Sequence, residues 1–106
     1  MTSSLYVEVP GEAPFEVRLE RDVMVVGRQD TDLALRDMNV SRRHFRVERA
    51  PSINGFVLRD ERSRNGTFVN GVSVLDKMLV EGDRIQVGGS TLTFRVAASA
   101  TSIPLE

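Results

Sequence analysis

Through much of this chain apolar side chains fall at every second position, the period of a strand with one buried face. Leu5, Val7 and Val9 alternate with polar residues until Pro10-Gly11 breaks the run. Phe15, Val17 and Leu19 repeat the pattern before the charged Glu20-Arg21-Asp22 turn. Residues 23–26 (Val-Met-Val-Val) are continuously apolar, which predicts a strand covered on both faces. Leu33-Ala34-Leu35 is a brief segment after an Asp/Thr loop; Phe45 and Val47 share a face; 51–55 reads as a loop before Phe56-Val57-Leu58. Ile85 and Val87, then Leu92, Phe94 and Val96, complete the series. No window sustains a helical period over three turns. The pattern predicts an all-β fold, and a two-sheet sandwich is the architecture that buries such faces.

Turn residues punctuate the second half most densely: Asn65-Gly66, Asn70-Gly71, Gly82-Asp83 and Gly88-Gly89. Asn-Gly is a hairpin signal because both residues tolerate positive φ. The ends are polar or small-residue stretches with little to bury. We therefore read 5–97 as the folded domain, with 1–4 and 98–106 as flexible tails.

Composition narrows the class. A chain of 106 residues holds one core, and its 41% hydrophobic and 27% charged residues exclude a disordered chain. It contains no cysteine, which removes disulfides, thiol catalysis and thiolate metal sites and suits a reducing compartment. The start lacks a basic-then-apolar leader and no apolar run is long enough for a membrane span, so the expected location is cytoplasmic. Net charge is −1, which provides no overall basic field for nucleic acid. Among lysine and arginine, Lys77 is the only lysine; the rest are arginine, the better bidentate partner for phosphate and carboxylate.

Catalytic chemistry finds few residues to use. His44 is the only histidine, with Ser41 the nearest hydroxyl, and no nucleophile elbow surrounds them. No glycine-rich loop ends in Lys-Ser or Lys-Thr, and neither zinc nor calcium ligand spacing occurs. No metal, cofactor or enzymatic activity is expected.

Loops on a rigid sandwich are where binding residues sit. Three segments stand out: Gly27-Arg28 closing the apolar strand, Ser41-Arg42-Arg43-His44 opening the strand of Phe45, and the run from Ser63-Arg64-Asn65-Gly66-Thr67 to Asn70-Gly71. Arg28 offers a planar fork of donors, Ser41 a hydroxyl and Asn65 an amide that both donates and accepts, with Arg42 and Arg64 adding charge. That set suits an anion, although arginine beside a turn is commonly just a solvated surface residue.

Taken in order, Gly27-Arg28, Asp32-Leu33, Val40-Ser41-Arg42-Arg43-His44, Asn65-Gly66-Thr67-Phe68-Val69-Asn70-Gly71 and Leu79 through Gly82-Asp83-Arg84-Ile85 to Gly88 resemble the forkhead-associated (FHA) domain family. The likeness spans roughly 5–97; each motif is loose alone, and their order and spacing make it specific. The resemblance implies an eleven-stranded sandwich of two sheets with ligand loops at one end. It implies a phosphothreonine-binding module that reads serine/threonine kinase signalling, its partner a phosphorylated protein, a kinase or a kinase substrate. Carried over, Arg28 and Ser41 bind phosphate and Asn65 binds the peptide main chain, with Arg42 and Arg64 as auxiliary phosphate contacts. Gly27, His44, Gly66, Thr67 and Asn70 are scaffold: close approach or a strained turn at Gly27, a loop brace at His44, positive φ at Gly66 and a hairpin turn at Asn70-Gly71.

Two rivals stay open on the sequence. One is a phosphate-independent interaction module on the same fold. The other is nucleic-acid binding through Arg42, Arg43 and Arg46, which lacks interleaved aromatics for stacking.

Overall fold

A computed structural model describes residues 2–97. It contains β1 (Thr2–Glu8), β2 (Phe15–Arg18), β3 (Val23–Gly27), β4 (Leu33–Ala34), β5 (Phe45–Ala50), β6 (Gly55–Asp60), β7 (Thr67–Val69), β8 (Val72–Val74), β9 (Asp76–Met78), β10 (Arg84–Val87) and β11 (Ser90–Ala97). The one helical element among the described residues is a single 3-10 turn, Pro51–Ile53, ended by Asn54 in the left-handed region. The strands form two sheets, β2-β1-β11-β10-β7-β8 and β4-β3-β5-β6-β9, as the alternating pattern predicts.

The core lies between the sheets. Leu5 and Val7 of β1, Ile85 and Val87 of β10 and Leu92 and Phe94 of β11 face Met24, Val26, Phe45, Val47 and Leu58 from the other sheet. At about 25 cal/mol per Å2 of apolar surface removed from water, this shared layer is what holds two sheets joined by short loops. All side-chain nitrogen and oxygen atoms that are buried among the described residues have partners.

Three expectations need correction. Residues 2–4 are not a tail: Thr2, Ser3 and Ser4 pair with Ala97, Val96 and Arg95 at the start of β1, and Ser4 is buried with its hydroxyl on Glu16. A polar strand is held there because β11 and β2 supply backbone partners on both sides. The tail assigned to 98–106 lies outside the described residues. Val23 is exposed, since it begins β3 opposite Glu48 on the outer face, while Met24, Val25 and Val26 are buried. Asn65-Gly66 is not a hairpin turn; it sits where the chain crosses from β6 in one sheet to β7 in the other. Asn70-Gly71 does join a hairpin, with φ of 52° and 85°, and Gly88-Gly89 links β10 to β11.

Register decides which loops meet. Val26 pairs with Phe45 and Phe45 with Asp60, so the end of β3, the start of β5 and the end of β6 lie together. The loops 28–32, 35–44 and 61–66 therefore open at one end of the sandwich, beside the β10–β11 turn.

Candidate functional site

Gly27 ends β3 against the loop before β5. A side chain there would collide with the main chain of Arg42 and Arg43, so glycine alone permits this approach. The next residue exploits it: the Arg28 amide donates to the Ser41 carbonyl (3.0 Å) and Gln29 to that of Arg42 (3.2 Å). The Arg28 side chain is half-buried and its Nε donates to the Val40 carbonyl (3.1 Å). One edge of the guanidinium is thereby fixed, while its terminal nitrogens have no protein partner among the described residues.

His44 organises the loop from beneath. Fully buried, it accepts the Ser41 amide at Nδ1 (2.9 Å), which places the ring proton on Nε2, and Nε2 donates to the Gly66 carbonyl (2.9 Å). One imidazole thus ties the 35–44 loop to the 61–66 loop. Ser41 Oγ accepts the Arg64 amide (2.9 Å) and keeps its own proton for an outside acceptor. Asn65 donates from Nδ2 to the Asn39 carbonyl (2.9 Å), and its amide oxygen has no partner among the described residues.

Several contributors escaped the sequence reading. Buried Asp37 accepts the Asn39 amide (3.0 Å), the Gly89 amide (2.8 Å) and the Ser90 hydroxyl (2.8 Å), anchoring the loop to the β10–β11 turn. Asp60 accepts Ser63 N–H (3.0 Å), Ser63 Oγ (2.6 Å) and Thr67 Oγ1 (2.7 Å), while Ser63 Oγ accepts the Gly66 amide (3.0 Å). The signals were local: Asp-x-Asn and Asp-x-x-Ser are spacings at which a carboxylate closes a turn on following amides. Burial raises the Asp60 carboxyl, but the hydrogen bonds from Ser63 and Thr67 outweigh it and hold the group below its ordinary value. The same balance acts on Asp37 through Ser90, Asn39 and Gly89.

These loops enclose a groove of about 440 Å3 lined by Arg28, Met38, Asn39, Val40, Ser41, Arg42, Arg64 and Asn65. All five residues expected to contact ligand line it together. Gly27, His44, Gly66 (φ 89°) and Thr67 lie behind it as supports. Asn70 is at the far end of β7, where Nδ2 donates to Asp83 (2.9 Å) and Oδ1 accepts the Arg84 amide (3.0 Å). A larger cleft of about 790 Å3, walled by Leu19, Phe56, Phe94 and Val96, opens at the opposite end and shares none of these loops. Among the described residues no group of His, Cys, Asp or Glu is arranged to hold a metal ion.

Comparison with known proteins agrees with this geometry. The FHA domain model matches residues 24–88. The chain is 40% identical over 79 residues to the glycogen accumulation regulator GarA of Mycobacterium tuberculosis, covering 72% of this chain and 46% of that protein. It is 35% identical over 94 residues to the ABC transporter ATP-binding/permease protein Rv1747 of the same organism, covering 88% of this chain and 10% of the transporter. The chain thus spans about half of one relative and a tenth of the other. Among solved structures, it resembles a domain studied for phosphothreonine-dependent FHA interactions (28% identity, TM-score 0.80, 92% of this chain and 99% of that one). It also resembles the FhaA FHA domain complexed with the intracellular domain of Rv3910 (31% identity, TM-score 0.74, 88% and 99%). With the motif residues gathered at one end of the same eleven-stranded sandwich, the chain belongs to the FHA domain family.

Proposed function

We propose that this domain binds a phosphothreonine-containing segment of a partner protein and so reads serine/threonine kinase signalling, by binding rather than catalysis. Arg28 and Ser41 take the phosphate, Asn65 takes the peptide main chain, and Arg42 and Arg64 supply further charge. The observation that carries the reading is the Arg28–Ser41–Asn65 corner. Each residue is fixed by main-chain hydrogen bonds, yet each keeps a polar group unspent in one groove. Such preorganisation lowers the entropy cost of binding. Phosphorylation adds about 1.5 to 2 negative charges and three acceptor oxygens, which the terminal guanidinium nitrogens and the Ser41 hydroxyl match.

Hydrogen bonds to charged groups contribute roughly 1.5–3 kcal/mol each. Two or three, less the ordering of a flexible peptide, lead to a dissociation constant on the order of micromolar. The single imidazole supports a binding role: His44 is buried and both ring nitrogens are occupied, so it is not available as a base. The FHA neighbours solved with the intracellular domain of Rv3910 and, for EmbR, with a low affinity phosphopeptide supply the precedent for a protein partner. Among the described residues no helix is long and apolar enough to cross a membrane, and the lack of cysteine fits a reducing, cytoplasmic setting.

The test is a calorimetric titration with matched threonine peptides, phosphorylated and not, repeated on Arg28→Ala. Binding confined to the phosphorylated peptide and lost in the variant is the expected result. Equal binding of both peptides would instead assign a phosphate-independent interaction module to the same fold.

A further inference from the structure

We propose that the outer face of the six-stranded sheet docks an acidic segment of a partner protein, with Arg84 and Arg95 receiving carboxylates borne on alternate residues of an extended stretch. This face lies on the flank of the sandwich, apart from the groove, and the proposal does not depend on the phosphothreonine reading.

Register assembles the patch. Leu5 and Val7, Ile85 and Val87, and Leu92 and Phe94 are buried, which turns Tyr6, Arg84, Thr93 and Arg95 to the outer face of β1, β10 and β11. Tyr6 pairs with Thr93 and Thr93 with Arg84, so these three form one row across the sheet. Arg95 stands two residues further along β11 and is the diagonal neighbour of both Tyr6 and Arg84. Its guanidinium lies over the Tyr6 ring, 4.4 Å from the centroid, which holds the long side chain along the sheet. Both arginines are exposed.

Charge sets this face apart from the other flank. On the five-stranded sheet Glu48 bonds both Arg46 and Arg59, Arg46 also reaches Glu61 (2.8 Å) and Arg59 reaches Asp76 (3.8 Å), so that flank neutralises itself. Arg18, Arg21, Arg49 and Lys77 are likewise paired, with Glu20, Asp32, Asp22 and Asp83. Outside the loops at the groove end, Arg84 and Arg95 are the only lysine or arginine side chains among the described residues with no carboxylate within ion-pair distance. Neighbouring carboxylates are turned to other partners: Glu16, opposite Tyr6 on β2, accepts the Ser4 hydroxyl, and Glu81 accepts the amide of Val96.

Spacing and surroundings identify the occupant. Diagonal neighbours on adjacent strands stand roughly 7–8 Å apart. Alternate residues of an extended chain point the same way and are about 6.6 Å apart, at ~3.3 Å per residue. Two carboxylates at i and i+2 therefore match the two guanidinium groups. Glu8 and Glu16 border the patch on the same face, so a nucleic-acid backbone, charged at every step, would meet them, whereas spaced carboxylates need not.

The experiment is an amide-resolved NMR titration at about 0.01 M ionic strength, where surface charges are least screened. The probes are peptides of one length: one with glutamate at every second position, and an isomer with the same glutamates in adjacent pairs separated by two neutral residues, which has no i, i+2 pair. A glutamine version and a DNA duplex complete the set. The titrations are repeated on Arg84→Gln/Arg95→Gln after its thermal unfolding has been compared with the parent. We expect the alternating peptide to shift the amides of Tyr6, Arg84, Thr93 and Arg95, to bind more tightly than its isomer, and to lose about ten-fold in affinity in the variant, equivalent to about 1.4 kcal/mol. Shifts confined to Ser41, Arg42 and Arg64 would place the acidic peptide in the groove and overturn the proposal. So would equal binding of the isomer or the glutamine version, unchanged affinity in the variant, or no shift at all. DNA binding tighter than the alternating peptide would make the face a nucleic-acid surface and overturn it too. Each of these results leaves the phosphothreonine reading standing.

Discussion

The carbonyl of Arg42 occupies the space a β-carbon on Gly27 would need, with the Arg42 carbonyl carbon and the Arg43 Cα only 2.8 and 2.9 Å from that point. These obstacles are backbone, so no side-chain rotation relieves them. Gly27→Ala should force β3 and the 35–44 loop apart and lengthen the Arg28–Ser41 amide bond. A loss of about 3 kcal/mol, the upper end for overpacking, is expected in chemical denaturation. Phosphopeptide affinity should fall as well, because the displaced segment carries Arg28 and Ser41.

His44→Ala tests the brace. The variant removes a buried ring and two hydrogen bonds, leaving the Ser41 amide and Gly66 carbonyl without their partner. Cavity and unsatisfied groups together should cost about 3 kcal/mol. Amide exchange at Ser41 should accelerate more than at Val47 in the middle of β5. Fast exchange at both would mean general loosening, not a local brace.

Acid should expose the carboxylate ties. Asp37 and Asp60 are held below their ordinary values in the folded state, so folding binds fewer protons than the unfolded chain does. Their stabilisation is complete above the unfolded value of about 4 and disappears as pH falls through the lower folded values. Denaturation midpoints should hold steady down to about pH 5 and decline below about pH 4. In Asp60→Asn that decline should be shallower, on a lower plateau, because the amide cannot accept the Ser63 and Thr67 bonds equally.

How much of this could be read from the chain depends on the range of the interaction. Period-two alternation placed Leu5, Val7, Phe45, Val47, Leu92 and Phe94 in the core, since one buried face leaves its mark in neighbouring residues. Thr2, Ser3 and Ser4 gave no such mark because their strand is set by backbone pairing to β11, some ninety residues away. Asp76-Lys77-Met78 likewise became edge strand β9 only because β6 offered it a register. At the site, Gly27-Arg28, Ser41 to His44 and Asn65 were legible through the order of their motifs. At Asp37 the spacing to Asn39 marks a turn, but the anchoring role was not legible, because it is defined by Gly89 and Ser90, fifty-two and fifty-three residues later.

Lys77 separates the fold from the site. Its Nζ bonds Asp83 Oδ2 (3.0 Å) and the carbonyl of Met78 (2.8 Å). The Asp83 side chain is only 5% exposed against 33% for Lys77, so the pair is buried on one side and screened on the other. Asp83 also receives Val80 N–H (2.9 Å) and Asn70 Nδ2 (2.9 Å), bonds that survive loss of the lysine. Lys77→Met keeps the aliphatic stem and removes the charge, so stability should fall by about 1 kcal/mol, the scale of a partly screened pair. Because Lys77 and Asp83 do not line the groove, phosphopeptide affinity should stay within about two-fold of the parent, a difference of less than 0.5 kcal/mol. A large loss of affinity in Lys77→Met would mean that the β9–β10 connection is coupled to the ligand loops, and that their geometry depends on the whole sandwich and not only on the bonds from His44, Asp37 and Asp60.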